Sequence, residues 1–335
     1  MILRATAILV LIANLIAPAA AQERVTVVTQ RLAANGALFI AAVQGYFKAE
    51  GLELQMGAYA SAREVVEAVA SGSADFGLTE LTPAAFNLAG QGAIKAVAAQ
   101  AREKRDYEGA EVVAANFAYT NGLRKLENLG GKVVAIDALG SASHYQLSEI
   151  ARIKGFNLSS MALKPVYSVG ELAKAIESGA VDAAILPTQN ARDLATANQG
   201  KLVGWISEIG EPQTGALFAS SAVIKGKRAT VEKFVRAYRR GVADYASALL
   251  RRDRYAKRVS DQASQSAAAI IARYVYPGMS TGATIVEASA PFIDPKARID
   301  IADIERQLAW YQAQGFVEKT VQARDVVDLS FTAGN

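Results

Sequence analysis

From Val25 onward, short β-branched runs alternate with amphipathic helical stretches. Val25–Thr29 reads as a strand. Leu38–Glu50 reads as one helix whose Phe39, Val43, Tyr46 and Phe47 share a stripe, with Gly51 as its stop. Glu53–Met56, a helix over Ala62–Ala70, Phe76–Leu78, a helix opened by Pro83, and Lys95–Ala99 complete a first series. A second series runs through the strand Lys132–Ile136, the helix Ser143–Lys154 before Gly155, and the strand Leu163–Tyr167. It continues with the helix Glu171–Ser178, the strand Ala183–Leu186, the helix Thr188–Ala197 and the strand Lys201–Ile206. Beyond Thr230 the pattern turns helical, over Val231–Leu250, Gln265–Val275 and Ile301–Gln314. Such alternation builds βα units around a mostly parallel sheet.

The two series echo each other. Shifted by 107 residues, Glu64 meets Glu171, Ala68 meets Ala175, Ser71 meets Ser178, Gly72 meets Gly179 and Asp75 meets Asp182. Gly51-Leu52-Glu53-Leu54 likewise parallels Gly155-Phe156-Asn157-Leu158. The reading is an α/β chain of two lobes with similar topology. Lobe one takes residues 22–109 plus 214–335, and lobe two residues 110–213. Strand-like crossings at Glu111–Tyr119 and Gly215–Ser220 would hinge them as a clamshell.

The first residues change where such a chain would work. Arg4, the apolar run Ala5–Ile16 and Ala19-Ala20-Ala21 have the parts of a secretory leader. The run is shorter than the ~20 apolar residues that span a bilayer. Residues 1–21 are therefore expected to be removed, leaving a mature chain from Gln22 in the periplasm. Loss of Arg4 takes the formal net charge from +4 to +3, too mild to imply a nucleic-acid partner.

With no cysteine, disulfides, thiolate metal sites and cysteine nucleophiles are excluded. One histidine and four methionines leave no polyhistidine or methionine-rich metal carrier. No phosphate-binding lysine loop or Gly-x-Gly-x-x-Gly run occurs, so no nucleotide cofactor is expected. The arginines at 236, 239, 240, 251, 252 and 254 read as a solvated helix face, and the absence of an oligomerising heptad reads as a monomer.

Five segments, in order, carry a family likeness. They are Gln44–Glu53 (QGYFKAEGLE), Ala70–Leu78 (ASGSADFGL), Leu126–Val134 (LENLGGKVV), Gly140–Tyr145 (GSASHY) and Ser178–Ala184 (SGAVDAA). Together they resemble the nitrate/taurine/alkanesulfonate class of ABC-importer binding proteins, a family that includes thiamine-pyrimidine binders. The resemblance implies a type II periplasmic-binding-protein clamshell with two crossover strands and no cofactor. It also implies a small-molecule ligand in the cleft and an importer's membrane subunits as partner.

In open α/β sheets, ligands bind beyond the carboxyl ends of the strands, where helix N-termini present unpaired N–H groups. Four turns qualify, at Asn35–Leu38, Thr79–Thr82, Gly140–Tyr145 and Pro187–Asn190. Within them the candidate ligand-binding residues are Asn35, Gly36, Glu80, Thr82, Ser141, Ser143, His144, Tyr145 and Gln189. Glycine allows close approach, and the hydroxyls of Ser141 and Ser143 can cap a helix or bind an oxyanion. Glu80 would repel an anion and suits an amine or aminopyrimidine. Glu211 sits where it can close on ligand or serve the hinge.

Three functions remain open. A transport receptor for a sulfonate, nitrate-like or planar polar solute is the leading one. A clamshell enzyme would use His144 and Glu80 as an acid/base pair, and a sensory module would share the receptor's sequence features.

Overall fold

The computed structural model describes residues 22–166 and 168–332. The leader read at residues 1–21, and Tyr167 at the end of one expected strand, lie outside the described residues. In chain order the strands are β1 (Glu23–Thr29), β2 (Leu52–Ala58), β3 (Phe76–Glu80), β4 (Ile94–Ala99) and β5 (Ala110–Ala115). They continue as β6 (Val133–Ile136), β7 (Ala162–Pro165), β8 (Ala183–Pro187), β9 (Gly200–Trp205) and β10 (Gly215–Ser220). They form two five-stranded sheets ordered β2-β1-β3-β10-β4 and β7-β6-β8-β5-β9. Within each sheet the strand reached after a crossing, β10 or β5, runs antiparallel to both neighbours. The other described pairings are parallel.

Helices cover both faces, so central strands read as unbroken apolar runs: all six residues of β10 are buried. Lobe one holds two core clusters, one on each face of its sheet, and lobe two holds two smaller ones.

The 107-residue echo is structural. Asp75 accepts the Thr26 N–H at 2.9 Å and returns its own N–H to the Thr26 carbonyl at 3.0 Å. Asp182 does the same with Val133, at 2.7 and 2.8 Å. Ser61 caps the helix Ala62–Ala70 through the Glu64 N–H, and Ser168 caps Val169–Glu177 through the Glu171 N–H. Gly72 and Gly179 follow those helices at φ +76° and +67°, a conformation that glycine adopts freely.

Three expectations change. The helix read over Leu38–Glu50 is two, Gly36–Val43 and Tyr46–Ala49, because Gly45 turns left-handed at φ +72°. Both segments read as crossings are sheet strands: Glu111–Tyr119 is β5 followed by a helix at Asn116–Thr120, and Gly215–Ser220 is β10, inside the first sheet. The chain passes between lobes at residues 100–109 and 206–214, and these segments pair through Arg102 and Gln213. The arginine run is only partly a solvated face. Arg236 pairs with Glu50 at 2.9 Å, Arg240 lies 3.9 Å over the Tyr46 ring, and half-buried Arg252 pairs with Glu108 at 2.6 Å.

Candidate functional site

The carboxyl ends of β3 and β6 point toward the opposite lobe. Glu80 closes β3, and Asp137 follows β6 directly. The turns beyond them meet: a Cβ added to Gly140 would lie 3.1 Å from Pro83 of lobe one. Gly140 is also held at φ +80°, so both its backbone conformation and the tight approach call for glycine. Glu80 and Asp137 are thus carboxylates of facing lobes. Burial, then the negative charge of Asp137, pushes the Glu80 carboxyl up to about 7. Among the described residues, neither carboxylate has a salt-bridge partner.

The turn Gly140–Tyr145 is built around Asp137. Ser141 caps the helix Ala142–Lys154 by accepting the His144 N–H at 3.3 Å. The Ser143 hydroxyl donates to Asp137 and lies 3.0 Å from that of Ser141. His144 Nδ1 accepts the Gly140 N–H at 3.0 Å, which leaves the proton of the neutral ring on Nε2. Burial pushes the His144 pKa down, and the charge that opposes this is Asp137's, not Glu80's.

His144 and Tyr145 form half of an aromatic contact between lobes. The His144 ring meets Trp310 edge-on at 5.0 Å and Phe316 at 5.9 Å. Tyr145 lies 5.5 Å from Trp310 and 6.2 Å from Tyr311. Trp310 and Tyr311 come from the helix Ile301–Ala313 of lobe one.

The candidates therefore fall into two groups. Glu80, Thr82, Ser141, Ser143, His144 and Tyr145 gather where the lobes meet, with Thr82 accepting the Ala85 N–H at 3.4 Å as a helix cap. Asn35 is fully buried, donating to the Gln30 carbonyl at 2.8 Å and accepting from the Gln100 amide. Gly36 is a packing glycine, since a Cβ there would stand 2.5 Å from Ile271. Gln189 donates to Asp193 on its own helix at 2.7 Å.

Glu211 lies on the second of the two segments that join the lobes. Its carboxylate pairs with Lys104 at 2.8 Å, joining the two crossing segments. Glu103 and Glu111 are buried beside them, and burial pushes both carboxyls up to about 7. Glu103 accepts the Ala110 N–H. Both Glu111 oxygens lack a hydrogen-bond partner among the described residues. Among the described residues no group of three or more histidines and carboxylates is placed to hold a metal.

Sequence reasoning passed over Asp137 and Tyr311. Asp137 carried the same signal as Glu80, a carboxylate straight after a strand. Tyr311 carried none, because only tertiary packing brings its helix to the cleft.

A family model described as NMT1/THI5 like matches residues 34–248, more than half of the chain. No curated sequence matches. Among solved structures, the periplasmic aliphatic sulphonate binding protein SsuA of Escherichia coli aligns with TM-score 0.70 at 14% identity, covering 91% of this chain and 92% of that one. The ligand-binding component of an ABC-type import system from Staphylococcus aureus, with zinc bound, gives 0.66 at 13% identity, covering 93% and 98%. The desulfurization enzyme DSZB, in complex with biphenyl-2-sulfinic acid, gives 0.60 at 14% identity, covering 93% and 98%. At these identities the likeness shows the fold, that of the two-lobed periplasmic binding proteins.

Proposed function

Because the chain belongs to the NMT1/THI5-like family, we propose that it is a periplasmic receptor that captures a small solute between its lobes and delivers it to an ABC importer. In this reading the mature chain begins at Gln22, acts as a monomer, and is recognised by the importer's membrane subunits when closed. The solute offers N–H donors or a positive charge to the cleft, as an amine, amidine or amino-substituted heteroaromatic ring does.

One observation carries the choice of solute. Glu80 and Asp137 approach from opposite lobes close enough for one charge to raise the other's pKa, and neither has a cation beside it among the described residues. A donor placed between them would satisfy both and draw the lobes together. An oxyanion on Ser141 and Ser143 would instead meet Asp137, to which Ser143 already donates. A receptor also suits the site better than an enzyme: the Nδ1 of the chain's one histidine is taken up by the Gly140 N–H.

The test is a thermal-shift screen of the mature chain against amidines and amino-heteroaromatics on one side, and sulfonates and nitrate on the other. A ligand at 100-fold its dissociation constant adds about 2.7 kcal/mol to stability. The first group should stabilise the wild type, Glu80→Gln and Asp137→Asn should each lose that response, and bound ligand should be recovered unchanged by mass spectrometry. Stabilisation by sulfonates or nitrate alone, kept or improved in Glu80→Gln, would overturn the reading.

A further inference from the structure

Tyr311 is fully buried, with its ring wedged among Phe86 at 5.5 Å, Trp310 at 5.0 Å and Tyr145 at 6.2 Å. Its hydroxyl is also buried and has no hydrogen-bond partner among the described residues. Packing does not explain that oxygen, because phenylalanine would fill the same space. An orphaned buried hydroxyl costs about 1–3 kcal/mol, so it calls for a reason. The charge acting most strongly on the phenol is that of Glu80, ahead of Asp137 and Asp303. Its ring contact with Tyr145 places Tyr311 where the two lobes meet, and the Glu80 carboxyl, whose charge reaches the phenol, is without a hydrogen bond to the protein among the described residues.

We propose that Tyr311 is a ligand-contacting, specificity-determining residue whose hydroxyl pairs with the solute bound at Glu80. The proposal rests on the reading of the Glu80–Asp137 cleft as the ligand site. The carboxylate accepts an N–H from the solute while the neighbouring phenol donates to an acceptor on the same edge. That pairing selects a solute in which an N–H donor sits next to an acceptor atom, over one that offers donors alone. Tyr311 lies outside residues 34–248, so this contact comes from the helix Ile301–Ala313 and not from the family-matched region.

The experiment uses the mature chain at pH 8 and two probes, 2-aminopyridine (a donor beside a ring acceptor) and benzamidine (donors only). Calorimetry of Tyr311→Phe should show 2-aminopyridine weakened by about 3- to 10-fold, the range expected for one lost hydrogen bond. Benzamidine affinity should stay within about 2-fold, and the unliganded variant should be as stable as the wild type or more so. In the wild type 2-aminopyridine should shift the tyrosine ultraviolet difference spectrum, and that shift should vanish in Tyr311→Phe. If Glu80→Gln weakens both probes while Tyr311→Phe changes neither, the role of Tyr311 is refuted and the cleft reading stands. Failure of both probes to bind the wild type removes the cleft reading and the proposal with it.

Discussion

Glu103→Gln tests the electrostatics of the segments that join the lobes. Glu103 is 4% exposed, and burial lifts its carboxyl to about 7 from the ordinary 4.5. The folded chain therefore binds this proton more tightly than the unfolded chain. Stability that is fully present below pH 4.5 is lost as pH rises through about 7. From those two values the ionised group costs about 3 kcal/mol at pH 8 and about 1 kcal/mol at pH 5. Glutamine keeps an acceptor for the Ala110 N–H but leaves amide hydrogens unpaired, a cost of about 1–3 kcal/mol that does not vary with pH. That fixed cost cancels between the two pH values, as does the titration of His144, which both proteins share. Relative to wild type, the variant should thus gain about 2 kcal/mol on going from pH 5 to pH 8. Urea denaturation followed by tryptophan fluorescence, with matched m values, reads this directly. An equal difference at both pH values, or a variant relatively weaker at pH 8, would refute the reasoning.

Two further outcomes follow from named contacts. Asp75→Ala and Asp182→Ala should each cost about 1–3 kcal/mol in urea denaturation, with Asp75 the larger because its bond to Thr26 is part-buried and that of Asp182 is exposed; a loss at only one site would deny the two repeats energetic equivalence. Trp310→Ala should enlarge the radius of gyration of the unliganded protein in small-angle scattering, since it deletes the ring that His144 and Tyr145 meet; an unchanged radius would show that this contact does not hold the lobes together.

The fold was largely legible because its repeat is written in local rules. A serine cap with glutamate three residues on, a glycine stop, then an aspartate that ties the next strand to its neighbour recur at 107 residues, and each acts within its own unit. The break at Gly45 was hidden, since a glycine inside an apolar stripe is compatible with either a continuous or a broken helix. Glu80 and the Ser141–Ser143 turn could be read because position after a strand is a sequence property. Trp310, Tyr311 and Phe316 could not. Periodicity marks their helix as amphipathic but says nothing about which surface it will face.

The same distinction bears on how the cleft works. In the proposed receptor two opposing influences meet at one point. The aromatic contact of His144 and Tyr145 with Trp310 favours closure. The facing carboxylates Glu80 and Asp137 oppose it whenever both are ionised. Moving a two-state protein from about 1% to about 99% closed takes about 5.5 kcal/mol of differential binding. A donor or cation between the carboxylates contributes to that twice over, by adding attraction to each and by cancelling their repulsion. A solute lacking such a group would leave the repulsion in place, and its contacts would have to overcome it. Selectivity for the solute and coupling of binding to closure would then reside in the same two side chains.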